Sequence, residues 1–257
     1  WDMMQFYPDE NDHVARPVIA IGHDYPDSFE LAEHRHRRSQ FLYAARGVMA
    51  VSTPSGAWVA PPERAVWIPG GTPHSVRMVG AVQTRSVLVE PGECPGRGLE
   101  CQVVGVSPLL RHLLSAAAHV PPEYDMAGRD GLVMHLLMAE IDAAPPIPLA
   151  VPFPSHAALA RRCQAFLERP NVAATIDEWA DAMGMNRRSF TRLFRRETAM
   201  SFAEWRQQAC LSVALPKLAA GEPVTSIAYD LGYDGPGTFS TMFKRMLGVP
   251  PSRYRMP

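Results

Sequence analysis

Cysteine is scarce in this chain of 257 residues. There are four, Cys94, Cys101, Cys163 and Cys210, and no two stand in a CxxC spacing. That argues against a disulfide frame, so free thiols in a reducing compartment are expected. Cys94 and Cys101 are near enough in sequence for a redox pair, but the reading as ordinary loop and strand residues is favoured. Also missing are a run of ~20 apolar residues and the layout of a signal peptide, so no membrane partner and a cytoplasmic location are expected. Net charge is nearly absent, −1 overall, which taken whole argues against a nucleic-acid partner.

One part has what the whole lacks. From His156 onward there are 14 Lys and Arg against 9 Asp and Glu, whereas residues 1–155 hold 11 against 17. Basic charge is segregated into the last hundred residues, as a phosphate-binding domain needs. Proline is abundant at 25 residues, five of them within APPIPLAVPFPSH, Ala144 to His156. That stretch cannot continue a helix and reads as a semi-rigid extended linker. The expected layout is α+β in two domains: a β-barrel domain over 1–105 followed by helices over 106–143, a linker over 144–155, and an all-α domain over 156–257.

From Arg16 to Val89 short apolar runs alternate with turn residues. PVIAIGHDY, SQFLYAARG, VMAVSTPSG, AWVAPPERA, VWIPGG, HSVRMVG and TRSVLVEPG read as strands of about 4–7 residues without intervening helices, which predicts a barrel or sandwich. His34 and His36 are two apart, so on a strand both imidazoles face the same side. His74 follows in PGGTPHS. His34, His36, Gln40 and Gly47, then Pro69, Gly71 and His74, resemble the two cupin motifs, which implies a cupin-like barrel with a pocket at these residues. Where metal-binding cupins usually place Glu, this chain has Gln40, a neutral and weaker ligand. Three imidazoles with open positions suit a divalent transition metal such as Zn, Ni, Fe or Mn. Alternatively His34, His36, Gln40 and His74 line a pocket for a small organic effector. The flanking Arg35, Arg37 and Arg38 are expected to be mostly solvated surface charges.

SPLLRHLLSAAAHV and GRDGLVMHLLMAEIDAA carry helical apolar spacing. Leu109, Leu110, Leu113, Leu114 and Ala117 mark one stripe; Leu132, Leu136 and Ala139, with Val133, Leu137 and Ile141, mark the other. The stripes are wider than cover for one barrel needs, so a homodimer through these helices and simple packing on the barrel are both open. His112, His119 and His135 are expected at the surface or an interface.

In the basic segment one pattern occurs twice. IDEWADAMGMNRRSFTRLFRR and VTSIAYDLGYDGPGTFSTMFKR each read as a short helix, a Gly-containing turn and a second helix, the outline of a helix-turn-helix unit. Thr175 and Glu178 form a capping box, Gly184 makes the first turn, and Asn186 caps the helix after it. That helix exposes Arg187, Arg188, Thr191, Arg192, Arg195 and Arg196 while Phe190, Leu193 and Phe194 face inward. Arginines so placed can bond guanine bidentately or grip phosphate. SFAEWRQQACLSVALPKLAAG is a long connecting helix, with a kink or early end expected at Pro216. In the second unit Val224, Ile227, Ala228 and Leu231 are expected inside, Gly232 makes the turn, and 237–247 forms the second reader.

The segment from His156 to Met256 resembles the DNA-binding domain of the AraC/XylS family, above all in IAYDLGYDGPGTFSTMFKRMLGVPPSRYR. A cupin-like sensor ahead of this domain is the family's common arrangement, so the resemblance spans nearly the whole chain. It implies a transcriptional regulator with double-stranded DNA, a small-molecule or metal effector and RNA polymerase as partners. It places base-reading positions at Arg188, Thr191 and Arg192 in the first reader and at Gly237, Thr238, Ser240 and Thr241 in the second. Thr241 stands where many members have Arg, Gly237 offers no side chain, and Cys210 replaces a commonly basic residue. The first unit is therefore expected to carry most sequence specificity, with Lys244 and Arg245 holding phosphate. No catalytic residue is evident beyond the histidines. A metal-dependent cupin enzyme with an accessory DNA-binding domain is the competing class, and an architectural DNA binder without a sensor is a weaker one.

Overall fold

The computed structural model describes residues 13–60, 64–147 and 149–254. The last residues of the basic domain and the Pro-Pro-Glu of the expected strand 57–65 lie outside them. The chain divides into two compact units: among the described residues, 13–51 with 64–147, and 52–60 with 149–254.

The first unit is built on a sheet of β1 (Val18–Tyr25), β2 (Glu30–His34), β3 (Ser39–Thr53), β5 (Arg64–Ile68), β6 (His74–Val89), β7 (Gln102–Gly105) and β8 (Pro146–Ile147). The order is β1-β6-β3-β5-β7-β8, with β2 also on β6. Two strands are far longer than expected. β3 and β6 each absorb two of the short runs, continuing through Gly47 (φ +78) and Gly80 (φ +73). Glycine at positive φ lets a strand kink without ending its ladder, so these residues are bends and not turns.

β1 and β2 follow β6 in one register, Val18↔Val89 to Tyr25↔Val82 and then Glu30↔Arg77. That register slips between Leu31 and His34, which sets His34 opposite His74. Such an irregularity re-aims a side chain beside a site.

Side chains sort by strand parity. Phe41, Tyr43, Trp67, Val87 and Val89 form one core with α1 (Pro108–Ala117) and α2 (Arg129–Ala143). Gln40, Leu42, Val76, Met78, Thr84 and Ser86 face the other way and line an interior pocket. On the helices Leu110, Leu113, Leu114, Ala117, Met134, Leu137, Met138 and Ile141 are buried. Leu109, Leu132, Leu136 and Ala139 are exposed, so the inward stripe on α2 is Met134–Leu137–Met138–Ile141.

Arg38 corrects the expectation of a solvated charge. It is fully buried, donating to the carbonyls of Val14 (2.7 Å) and Arg16 (3.0 Å) and pairing with Glu90 at 2.8 Å. Glu90 also takes the Arg37 guanidinium, at 2.7 Å on one oxygen, and these contacts hold its carboxyl below the usual range. A buried guanidinium survives because a carboxylate and two carbonyls share its charge.

The second unit contains α3 (Ala157–Glu168), α4 (Ile176–Ala182), α5 (Arg187–Thr198), α6 (Phe202–Ala219), α7 (Val224–Asp230) and α8 (Pro236–Leu247). Two short strands belong with them, β4 (Gly56–Ala60) and β9 (Ala150–Pro152), paired antiparallel. An aromatic cluster holds its first half, with Trp179 against Phe202 at 4.9 Å, Phe166 at 5.5 Å and Trp205 at 5.8 Å. Helix α6 carries on through Pro216 to Ala219. Pro216 sits so near the end that only one hydrogen bond is at stake, and burial of Leu215, Leu218 and Ala219 offsets it. No described helix is long and apolar enough to cross a membrane.

Candidate effector site and nucleic-acid interface

His34 ends β2, His36 lies just past it in the connection to β3, and His74 opens β6. His36 is thus not on the strand, yet the three rings converge. Centroids are 4.3 Å apart for His34 and His74, 5.1 Å for His36 and His74, and 6.1 Å for His34 and His36.

Each Nδ1 lies against a main-chain carbonyl: His34 on Ala32 at 2.8 Å, His36 on Arg38 at 2.6 Å, His74 on Thr72 at 2.8 Å. A carbonyl oxygen only accepts, so each Nδ1 carries a proton, and in the neutral imidazole Nε2 is then the nitrogen that keeps a lone pair. His74 Nε2 is buried without a hydrogen-bond partner among the described residues. Burial holds the His74 imidazole down to about 4, so it stays neutral at physiological pH.

Gln40 completes the group. Its Oε1 is 3.2 Å from His36 Nε2, and its Nε2 donates to Ser86 Oγ at 3.0 Å. Oε1 and a lone-pair Nε2 are both acceptors, an opposition that a shared cation relieves. Turned over, the amide would instead donate to the imidazole; only the first orientation presents a fourth ligand.

One candidate ligand nitrogen from each of the three histidines lies within 4.8 Å of the others. Imidazoles about 2.0–2.1 Å from one ion stand roughly 3.4 Å apart, so closure needs a shift of about 1 Å. The donor set therefore fits a divalent transition metal. The adjoining interior pocket, lined by Tyr25, Leu31, Leu42, Met78 and Thr84 besides His34 and Gln40, has a cavity of only ≈ 10 Å³. That is about one water, far below the hundreds of Å³ of an organic-ligand site.

The thiols take no part. Cys94 is pushed up to about 11 and Cys101, Cys163 and Cys210 to about 12, in each case mainly by burial, and all four are free.

The nucleic-acid face is set by caps and turns. Thr175 and Glu178 form the capping box on α4, Gly184 turns at φ +63, and Asn186 Oδ1 accepts from Ser189 N–H at 2.9 Å to start α5. Phe190, Leu193 and Phe194 are buried, leaving Arg187, Arg188, Thr191, Arg192, Arg195 and Arg196 exposed on the rest of the helix. Arg187 pairs with Asp177 at 3.3 Å and Arg196 with Glu197 at 3.0 Å. Arg188 and Arg192 make no hydrogen bond or ion pair among the described residues, so their guanidinium forks are available to a partner.

On α8, Gly237, Thr238, Thr241, Lys244 and Arg245 are exposed and Ser240 is half-buried. Thr241 donates back to the Gly237 carbonyl at 3.0 Å, and Arg245 donates to Gln207 Oε1 at 2.9 Å. No side chain caps α8, and a Cβ at Gly235 or Gly237 would meet nothing within 4 Å. The second reader begins with bare backbone where the first begins with two arginines. The sequence reading missed a second capping box, Ser201 with Glu204, which starts α6 and is visible as S-x-x-E.

A ligand-sensing β domain ahead of paired helix-turn-helix units defines a sequence-specific DNA-binding transcriptional regulator. Residues 16–137 match the AraC-like ligand binding domain family and residues 179–256 a helix-turn-helix domain family. The HTH-type transcriptional regulator NimR of Escherichia coli (strain K12) is 31% identical over 248 residues, 96% of this chain and 90% of NimR. The chain belongs to the AraC family of transcriptional regulators. Regulatory protein SoxS of Salmonella typhimurium is 37% identical over 81 residues, 31% of this chain and 76% of SoxS. Among solved structures, ToxT from Vibrio cholerae covers 93% of this chain and 96% of its own at 11% identity, with a TM-score of 0.38, too low to bear on this chain's arrangement.

Proposed function

We propose that this regulator senses a divalent transition metal at His34, His36 and His74, with Gln40 as a fourth, neutral ligand. The observation that carries the reading is the set of three Nδ1–H groups turned onto main-chain carbonyls, which leaves three Nε2 lone pairs converging in a site with little room for an organic effector. A bound ion would draw the three elements together and favour one conformation by its differential affinity. Metal content after purification and a Co(II) titration followed by visible absorption test this. A His34/His36/His74 triple alanine variant should lose the signal and the metal response of a reporter promoter while substrate turnover stays absent. Consumption of a substrate would favour the enzyme class instead.

The first unit is the principal base reader through Arg188, Thr191 and Arg192, with Arg187, Arg195 and Arg196 toward phosphate. The second unit anchors through Lys244 and Arg245, and Gly237, Thr238, Ser240 and Thr241 contribute a flatter surface. Arg188 and Arg192, which make no hydrogen bond or ion pair among the described residues, and the bare backbone at the start of α8 support that division. Effector-bound protein acts as an activator through contact with RNA polymerase.

A homodimer through α2 is supported by Leu132 (69% exposed) and Leu136 (45%), one turn apart on a face turned away from the core. Sedimentation of a Leu132→Glu/Leu136→Glu variant as monomer against a wild-type dimer is the expected result; a wild-type monomer would overturn it.

A further inference from the structure

The proline-rich stretch before His156 is bound into the second unit at three places. β9 pairs with β4 at Gly56↔Pro152, Ala57↔Val151 and Trp58↔Ala150, and Phe153 N–H donates to the Ser55 carbonyl at 2.8 Å. Val151 is fully buried in the same core as Trp179, Phe194 and Trp205, with Ala57 and Phe153 packed against it. Trp205 Nε1 on α6 donates to the Pro152 carbonyl at 2.8 Å.

The third attachment is to the reader helix itself. Glu197, in the last turn of α5, accepts from Ser155 Oγ at 2.6 Å and from His156 N–H at 3.1 Å on one oxygen. Its other oxygen accepts from Arg196 at 3.0 Å. A carboxylate at the C-terminal end of a helix faces the negative end of the macrodipole, so its own helix disfavours it there. The donors from Ser155 and His156 offset that penalty, and with Arg196 they hold the Glu197 carboxyl down to about 2.

We propose that residues 150–156 position the reader helix α5, with Glu197 as the positioning residue through which they hold it. The proposal rests on the reading of α5 as the base-reading helix. Glu197 touches no base in this account; it fixes the far end of a helix whose near end carries Arg188 and Arg192. A helix of 12 residues is about 18 Å long, so a tilt of about 5° about one end moves the other by about 1.5 Å. That displacement exceeds the tolerance of roughly 0.5 Å within which a recognition group must be held.

The test uses the full chain and selection from a random duplex pool, with base preference read position by position. Arg192→Ala first marks the positions that α5 reads. Glu197→Ala should then lower preference about tenfold at those same positions. Positions outside that set should stay sharp, and the salt slope should not change, because no phosphate contact is removed. Glu197→Gln, which keeps an acceptor oxygen, should recover most of the loss. If Glu197→Ala does not fold by circular dichroism, Ser155→Ala carries the same comparison with an expected loss of about threefold.

Uniform weakening at all positions would reduce Glu197 to a general stabiliser and overturn the proposal. So would unchanged preference, or higher affinity from the lost negative charge. If Arg192→Ala flattens no position, the assignment of α5 as reader fails first, and the proposal with it. If Arg192→Ala flattens positions that Glu197→Ala leaves sharp, only the positioning role fails.

Discussion

The two helix-turn-helix turns look interchangeable but should respond differently to the same substitution. Gly184 and Gly232 both sit in the left-handed region, at φ +63 and +77. Alanine there costs ~1–2 kcal/mol in backbone strain, offset by ~0.5–1 kcal/mol because the unfolded chain loses freedom. At Gly184 a methyl meets no atom within 4 Å, so Gly184→Ala should cost about 1 kcal/mol in all. At Gly232 the same methyl would lie 2.1 Å from Asn171 Oδ1. Asn171 cannot simply swing aside, because that oxygen accepts from Ala173 N–H at 2.8 Å and the neighbouring Val172 N–H donates to the Leu231 carbonyl at 2.8 Å. Losing one hydrogen bond and relieving the overlap adds ~2 kcal/mol, for a total of about 3 kcal/mol. Urea titration followed by tryptophan fluorescence measures both variants in the full chain. Equal losses, or a larger loss at Gly184, would refute the claim that Asn171 makes the second turn the stricter one.

Other perturbations test the remaining contacts. Arg192→Ala should cost roughly 1–3 kcal/mol of operator binding and relax preference at one base position, whereas Lys244→Ala should weaken all sequences alike and reduce the salt slope by about 1. If Thr238 or Ser240 substitutions cost more specificity than Arg188 or Arg192 ones, the division between the units is wrong. Glu90→Gln should destabilise the first unit by about 2–3 kcal/mol at neutral pH, because it leaves the buried Arg38 without its carboxylate. The Glu90 carboxyl is held lower in the folded chain than in the unfolded one. Its contribution is therefore full above the unfolded carboxylate range and fades as pH falls through the folded value, so the two melting curves should converge in acid. Ser86→Ala removes the hydroxyl that orients Gln40 and should weaken Co(II) binding about tenfold, read by titration.

Local chemistry was legible in the sequence wherever a short-range rule governs it. Thr175 and Glu178 are three apart and close the capping box because that reach is a property of the first helical turn. Asn186 caps α5 and Phe190, Leu193 and Phe194 go inside, since helical spacing alone decides which face is apolar. His34, His36 and His74 are grouped by the resemblance to the cupin motifs, whereas the strand parity expected of His34 and His36 does not hold because His36 lies past the end of β2. Their convergence rests on a register slip in β2, which no pattern of residue types reports.

What the sequence withheld is non-local pairing. Gly47 and Gly80 look like turn residues, and only the partner strand distinguishes a bend within a ladder from the end of one. Arg38 reads as surface because its charge is visible and its acceptors are not: Val14 and Arg16 are more than twenty residues upstream, Glu90 more than fifty downstream. The stretch around Gly56 poses the same difficulty on a larger scale. Alternation marks it as a strand but does not say which sheet it joins. Besides the adjacent β3 it pairs with β9, nearly a hundred residues later, and the approach is close enough that a Cβ at Gly56 would lie 2.8 Å from the Val151 carbonyl. A residue without a side chain is required where that backbone passes, so the glycine that resembled a turn signal is instead what lets a segment of the N-terminal half complete the core beneath α5.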